Sequence, residues 1–179
     1  MNKLRPLYQS GAVSRFHTMR TLHRQTVAEH AWGVAVVLLW LYAPDVPPPA
    51  LLRYALLHDA AELETGDVPA TAKWASRPLT KELRSLEDEF FERHGMASHQ
   101  DGLSEDDIRV VQFCDSVELL IYALTEADLG NAAMIEVAQR VVVHLRNKLP
   151  THLPRAIQLF FSLEWQLVHL KKGRYAKSE

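Results

Sequence analysis

Apolar residues recur at helical spacing along almost the whole chain, and no segment alternates apolar with polar residues at the period of two that a half-buried strand requires. With no repeat or low-complexity tract to compete, that periodicity predicts an all-α fold. At 179 residues and 47% hydrophobic, the chain can bury one good core and is short for two. A single domain over residues 1–179 is therefore expected, with 172–179 as a frayed tail. Caps and breakers divide the helices. Thr26-Val27-Ala28-Glu29 has the form of a capping box and opens a helix to about Tyr42, which Pro44 stops. Pro47-Pro48-Pro49 is a stiff connector whose last proline suits a helix start, giving a helix over about 50–63 that ends before Gly66. A polar loop follows to about Pro78, and Thr80 is expected to cap a helix to about His94. After a loop at 95–102, Ser104-Glu105-Asp106-Asp107 caps a helix to about Ala127, with Gly130-Asn131 as its break. Two more helices are expected, over about 132–148 and 154–171.

Charge and cysteine usage exclude several classes. The net charge is −2, with 20 Lys and Arg against 22 Asp and Glu, so no global basic field draws the chain to polymeric nucleic acid or to an anionic membrane. The single cysteine, Cys114, rules out an internal disulfide and a cysteine-rich zinc knuckle, and fits a reducing compartment. Met1 to Pro6 contains no apolar signal core, and the longest apolar stretch, Val34 to Ala43, is too short to span a bilayer. The expected location is the cytoplasm.

The chemistry concentrates around Leu57-His58-Asp59. This pair lies in an apolar run, with Glu62 one turn on and Asp67 after Thr65-Gly66. His30 falls in the first turn of its helix, and Asp115 lies midway along another. A histidine beside a carboxylate is costly in a buried helix unless a partner satisfies both, and a divalent cation does so. Two imidazoles and two carboxylates, from His30, His58, Asp59 and Asp115, suit Mn²⁺, Co²⁺, Fe²⁺ or Zn²⁺ better than Ca²⁺, which takes oxygens. Spacings of i,i+3 and i,i+4 put His58, Asp59 and Glu62 on one stripe, opposite Leu51, Leu52, Ala55 and Leu56. Glu62 is then placed to orient or deprotonate an attacking water. Asp67 either faces the site from the loop or caps an Asx-type turn. Arg15 offers a planar fork and Lys73 a point charge for phosphate oxygens, against a plain reading of each as a solvated cation. Arg20, Arg24 and Arg77 are read as solvated. Trp32, Trp40 and Trp165, with Phe160 and Phe161, fall at helical spacings that predict core or dimer packing rather than base stacking.

The order of His30, His58-Asp59 and Asp115 resembles the HD-domain phosphohydrolases, and in particular their YfbR-type 5′-deoxynucleotidases and the phage dATP triphosphohydrolases of the DatZ type. Ser14-Arg15-Phe16, Val27-Ala28-Glu29-His30, His58-Asp59-Ala60-Ala61-Glu62, Thr65-Gly66-Asp67-Val68-Pro69 with Lys73, and Asp115 followed by Glu118 carry the likeness. It implies a single-domain helical bundle binding one divalent metal (Co, Mn, Zn, Fe or Mg) through His30, His58, Asp59 and Asp115. Glu62 is implied as the key catalytic carboxylate, and Asp67 as an assisting acid or substrate contact. Arg15 and Lys73 are implied to hold the substrate phosphate. Phe16 stands where the deoxynucleotidases carry a tryptophan that crowds the sugar, so a smaller ring relaxes the expected strictness for deoxyribose. The implied reaction is hydrolysis of a deoxynucleoside 5′-monophosphate to deoxynucleoside and phosphate. Release of triphosphate from a dNTP, notably dATP, is the alternative, and a metal- and nucleotide-binding sensor without turnover the second. The related enzymes are generally dimers or larger, so a homodimer or higher homo-oligomer is expected.

Overall fold

The computed structural model describes residues 3–96, 100 and 102–175. Among them are nine helices and no strand, as the periodicity predicts: α1 Leu4–Ser10, α2 Val27–Tyr42, α3 Pro49–Leu57, α4 Glu62–Thr65, α5 Ala70–Ala75, α6 Arg77–Arg93, α7 Glu105–Asp128, α8 Ala133–Arg146 and α9 Pro154–Tyr175. The capping box expected at Thr26 forms, and the expected cap at Ser104 is a capping box as well. Thr26 accepts from the Glu29 N–H while Glu29 accepts from the Thr26 N–H, and Ser104 and Asp107 pair the same way.

The long helix α7 is central and packs against α2, α3, α8 and α9. Val110, Phe113, Val117, Leu120 and Ala123 of α7 meet Val34, Leu38 and Leu41 of α2 and Met134, Ala138 and Leu145 of α8 in one buried cluster. A second, smaller cluster sets Phe90 and Phe91 of α6 against Ala60 and Ala61, with Leu7 of α1 alongside. Each buried phenylalanine contributes about 1.5–3 kcal/mol. Its consequence is positional: the turn carrying His58 and Asp59 rests on two fully buried rings.

Several boundaries differ from expectation, each for a local reason. The helix predicted over 50–63 ends at Leu57. From there Ala60, Glu62, Leu63 and Glu64 donate to carbonyls three residues back, a tighter winding that rotates each following side chain. The helix after the loop is capped by Ser76, whose hydroxyl accepts from the Leu79 N–H at 3.3 Å, and Pro78 occupies its first turn. Thr80, the expected cap, instead donates to the Lys73 carbonyl at 2.7 Å. The stretch expected as a polar loop contains α5, and the N-terminal α1 was not anticipated. α9 continues to Tyr175, past the expected Lys171, and the rest of the tail, 176–179, lies outside the described residues, as do 97–99 and 101 of the 95–102 loop. Phe160 is core, but Trp32, Trp40, Phe161 and Trp165 are exposed. Helical spacing gave their shared faces and not which face meets the core.

Candidate active site

The segment between α1 and α2 is tied down at its base. Ser14 and Thr26 form an isolated antiparallel bridge, with Arg15 N–H donating to Gln25 O at 2.9 Å and Val27 N–H to Val13 O at 2.9 Å. Arg15 and Phe16 are thereby held over the start of α2, where His30 is completely buried. Opposite lie the 58–61 turn with His58 and Asp59, and Asp115 from α7. One nitrogen of each of His30 and His58 and one oxygen of Asp115 lie within 4.8 Å of one another. Asp115 Oδ1 is 3.1 Å from His30 Nε2. His58 Nε2 is buried without a hydrogen-bond partner, and His30 Nε2 meets only the Asp115 carboxylate, an arrangement that a cation among the three groups would satisfy. The other nitrogens are engaged, His58 Nδ1 with the Ala55 carbonyl at 3.0 Å and His30 Nδ1 with Glu118 Oε2, leaving Nε2 of each ring to coordinate. The donor set thus fits a divalent transition metal.

Asp59 flanks this group. Its Oδ2 is 3.6 Å from His30 Nε2 and 3.5 Å from His58 Nε2, and receives Arg15 Nη1 at 2.7 Å. Arg15 is therefore not the solvated cation of the plain reading: it neutralises the carboxylate of the His-Asp pair. Burial opposes ionisation of Asp59, yet His58, Arg15 and His30 hold its pKa below the usual range. Burial likewise opposes ionisation of Asp115, and the adjoining histidines and Arg15 lower its pKa. Glu62 goes the other way. Burial and the negative charges of Asp59 and Asp67 push its carboxyl up to about 8, only partly countered by Lys73 and Arg15. Its Oε1 is 3.7 Å from Lys73 Nζ, and its Oε2 is buried without a partner. A buried carboxyl titrating near neutrality beside a histidine–carboxylate cluster is able to exchange a proton in the working pH range.

Asp67 accepts the Phe16 N–H at 3.1 Å. Phe16 has a φ of 54°, a left-handed conformation disfavoured for a bulky residue, at a cost on the order of 1–3 kcal/mol. Two contacts hold it there: the Asp67 carboxylate on its backbone, and Tyr122, stacked on its ring at 4.8 Å and 19°. Arg15, Phe16, Asp59, Glu62, Asp67, Lys73 and Asp115 all line one cleft of about 290 Å³, whose remaining lining includes the apolar side chains Met19, Leu119, Val137 and Val141.

Residues 7–162 match the family of YfbR-like 5′-deoxynucleotidases. The chain belongs to that family. Among YfbR-like relatives, a 5′-deoxynucleotidase of Vibrio parahaemolyticus is 24% identical, the match covering 76% of this chain and 80% of the relative. One from Photobacterium profundum is 22% identical, covering 79% and 83%. In three dimensions the chain is similar to the HD phosphohydrolase DatZ of cyanophage S-2L, a structure with dA and one catalytic Zn²⁺, with a TM-score of 0.69 at 22% identity over 94% of this chain and 96% of the other. An HD-domain phosphohydrolase of Listeria innocua gives 0.63 at 20% identity over 95% and 97%. The YfbR-like chain accordingly belongs to a family of 5′-deoxynucleotidases and has the all-α fold of the HD-domain phosphohydrolases, as the resemblance in its motifs implied. No helix among the described residues is long and apolar enough to cross a membrane.

One polar group escaped sequence reasoning. Glu126 of α7 is almost wholly buried and accepts from the backbone N–H groups of Leu22 at 2.7 Å and His23 at 2.6 Å. Asn131 Nδ2 donates to the same carboxylate at 2.9 Å and to Arg20 O at 3.0 Å. Tyr122 donates its hydroxyl to His23 O. This clamp fastens the Arg20–His23 loop, and so the ends of the Arg15-Phe16 segment, to α7. The available signal was a glutamate at the apolar end of α7, which looks like any surface glutamate until burial is known.

Proposed function

We propose that this protein hydrolyses the 5′-phosphoester of deoxynucleoside monophosphates, with His30, His58, Asp59 and Asp115 holding one divalent transition metal. The carrying observation is the cavity of about 290 Å³ that brings Asp59 and Asp115, the carboxylates of the cluster, together with Glu62, Arg15 and Lys73 against a largely apolar remainder. That volume is at the low end for small-molecule pockets, the size of one compact ligand. Arg15 and Lys73 stand at the carboxylate end, whereas Arg140, a third lining cation, belongs to α8 and is paired with Glu136 at 2.5 Å. Two cations at the reacting end suit one phosphate group better than a chain of three. A metal at the cluster supplies Lewis-acid stabilisation of phosphoryl charge and acidifies water.

The protein groups divide the remaining work. Glu62 takes the proton of the attacking water as the new P–O bond forms and the bond from phosphorus to the sugar O5′ breaks, O5′ then taking up a proton from solvent water while Glu62 returns its proton to solvent. Arg15 and Lys73 bind the phosphate oxygens, Arg15 as a fork also anchored on Asp59. Asp67 fixes the Phe16 turn and, by its charge, keeps Glu62 basic enough to accept a proton. Phe16 and the apolar wall take the sugar and base, and the shorter ring in place of tryptophan leaves the 2′ position less strictly policed. We also propose a homo-oligomer, built on the outward row Trp32, Val36, Leu39 and Trp40 of α2, all exposed.

Incubating purified protein with Mn²⁺, Co²⁺, Zn²⁺ or Mg²⁺ and a panel of dNMPs, NMPs and dNTPs, then identifying products by chromatography, tests the reading. Free phosphate from dNMPs is the expected product. Triphosphate from dNTPs in its place assigns the triphosphohydrolase reaction, and metal-dependent nucleotide binding without product assigns a sensor.

A further inference from the structure

Glu118 is buried on α7 between Val117 and Leu119, and neither Glu62 nor the substrate cavity uses it. Its two oxygens are both engaged across elements. Oε2 faces His30 Nδ1, and Oε1 accepts from Gln25 Nε2 at 2.7 Å, so a side chain just before α2 and a ring within α2 grip one carboxylate from α7. The approach is possible only because residue 33, one turn after His30, is glycine. A Cβ at Gly33 would lie 2.7 Å from Glu118 Cγ, 3.3 Å from Cδ and 3.2 Å from Oε1. The nearest atom is the constrained stem of a buried side chain, not a free end that can swing aside, so an alanine there must displace the carboxylate.

We propose that Glu118, seated by Gly33 and steered by Gln25, is the positioning residue that fixes the ring orientation and tautomer of His30, with Nδ1–H donated to the carboxylate and Nε2 turned to the metal. An imidazole so held keeps a proton on one nitrogen and a lone pair on the other, and its basicity toward a cation rises. Gly33 is then required by the metal centre although it touches no ligand, substrate or turn. The inference rests on the reading of His30 and His58 as metal ligands.

The test measures Zn²⁺ affinity of chelator-stripped protein by competition with a chromophoric chelator, alongside the thermal midpoint of the metal-free state. Glu118→Ala should weaken binding by about 10–100-fold. Glu118→Gln, whose amide oxygen still accepts the Nδ1–H without the charge, should recover part of the loss. Gly33→Ala should weaken binding by a comparable factor with every ligand intact. In a Glu118→Ala background it should add little, because the atoms it displaces are gone. Wild-type affinity in Glu118→Gln and Glu118→Ala, or additive losses for Gly33→Ala and Glu118→Ala, would overturn the proposal. His58→Ala is the separate control. If it too binds Zn²⁺ as wild type does, the metal-centre reading falls and the proposal with it; if it loses Zn²⁺ while the Glu118 variants do not, only the positioning role fails.

Discussion

Replacing Glu62 with glutamine should make the metal-free protein more stable while destroying its activity. In the fold Glu62 is 8% exposed, one carboxylate oxygen has no partner, and burial with Asp59 and Asp67 nearby raises its pKa from 4.5 to about 8. A carboxyl raised on folding is neutral in the native state where the unfolded chain is already ionised. Below pH 4.5 it is protonated in both states and contributes nothing. Between 4.5 and 8 the unfolded state binds fewer protons, so stability falls with rising pH, and above 8 the penalty is complete. At about 1.4 kcal/mol per pH unit, the two and a half units from 4.5 to 7 amount to roughly 3 kcal/mol at pH 7. Glutamine removes this penalty at nearly the same volume. Urea unfolding of chelator-treated wild type and Glu62→Gln at pH 5, 6, 7 and 8 should show the variant gaining a lead that grows across the series. With metal restored, the variant should keep its metal but lose kcat by about a hundredfold or more. A variant less stable than wild type at pH 7, or a difference flat in pH, would refute the account of Glu62 as a buried carboxyl held against its neighbours.

Loss of a ligand should act on metal first: His58→Ala and Asp115→Ala are expected to lose stoichiometric metal and activity together, measured by elemental analysis and phosphate release. In the metal-free protein burial disfavours the His30 cation, but the Asp115 and Glu118 carboxylates outweigh it and raise the pKa to about 9. Metal binding near pH 7.5 must then expel at least one proton, so its heat should depend on the ionisation enthalpy of the buffer and its affinity should weaken as pH falls; calorimetry in two buffers checks this. Arg15→Lys should already be damaging because an ammonium cannot reproduce the fork on both Asp59 and phosphate, whereas Lys73→Ala, assayed on dAMP and dATP side by side, should cut kcat/KM for dAMP if its charge serves a single phosphate. Trp32→Glu, on the exposed face of α2, should shift the molecule to a smaller species in light scattering without altering its helical circular dichroism.

The sequence by itself determined the all-α class, the caps at Thr26 and Ser104, the central helix that Ser104 opens and the family, because these rest on local signals: a period of 3.6, an oxygen three residues before a free N–H, and short motifs in fixed order. It also supplied the identities of His30, His58, Asp59, Glu62, Asp67 and Asp115. Their arrangement was another matter. A straight helix through 50–63 would have set His58, Asp59 and Glu62 on one stripe, but bonding to the third residue back from Leu57 onward winds the turn differently, against Phe90 and Phe91 from a helix thirty residues away. That Arg15 lies on Asp59, that Asp67 holds the backbone of Phe16 in a strained conformation, and that Glu118 and Glu126 are buried anchors and not solvated charges was decided only when α7 packed beneath α2. Periodicity fixes which residues share a face. Which charges meet, and therefore which are neutralised, strained or left to bind a cation, depends on contacts between segments as much as 111 residues apart, for which the local sequence carries no energetic record.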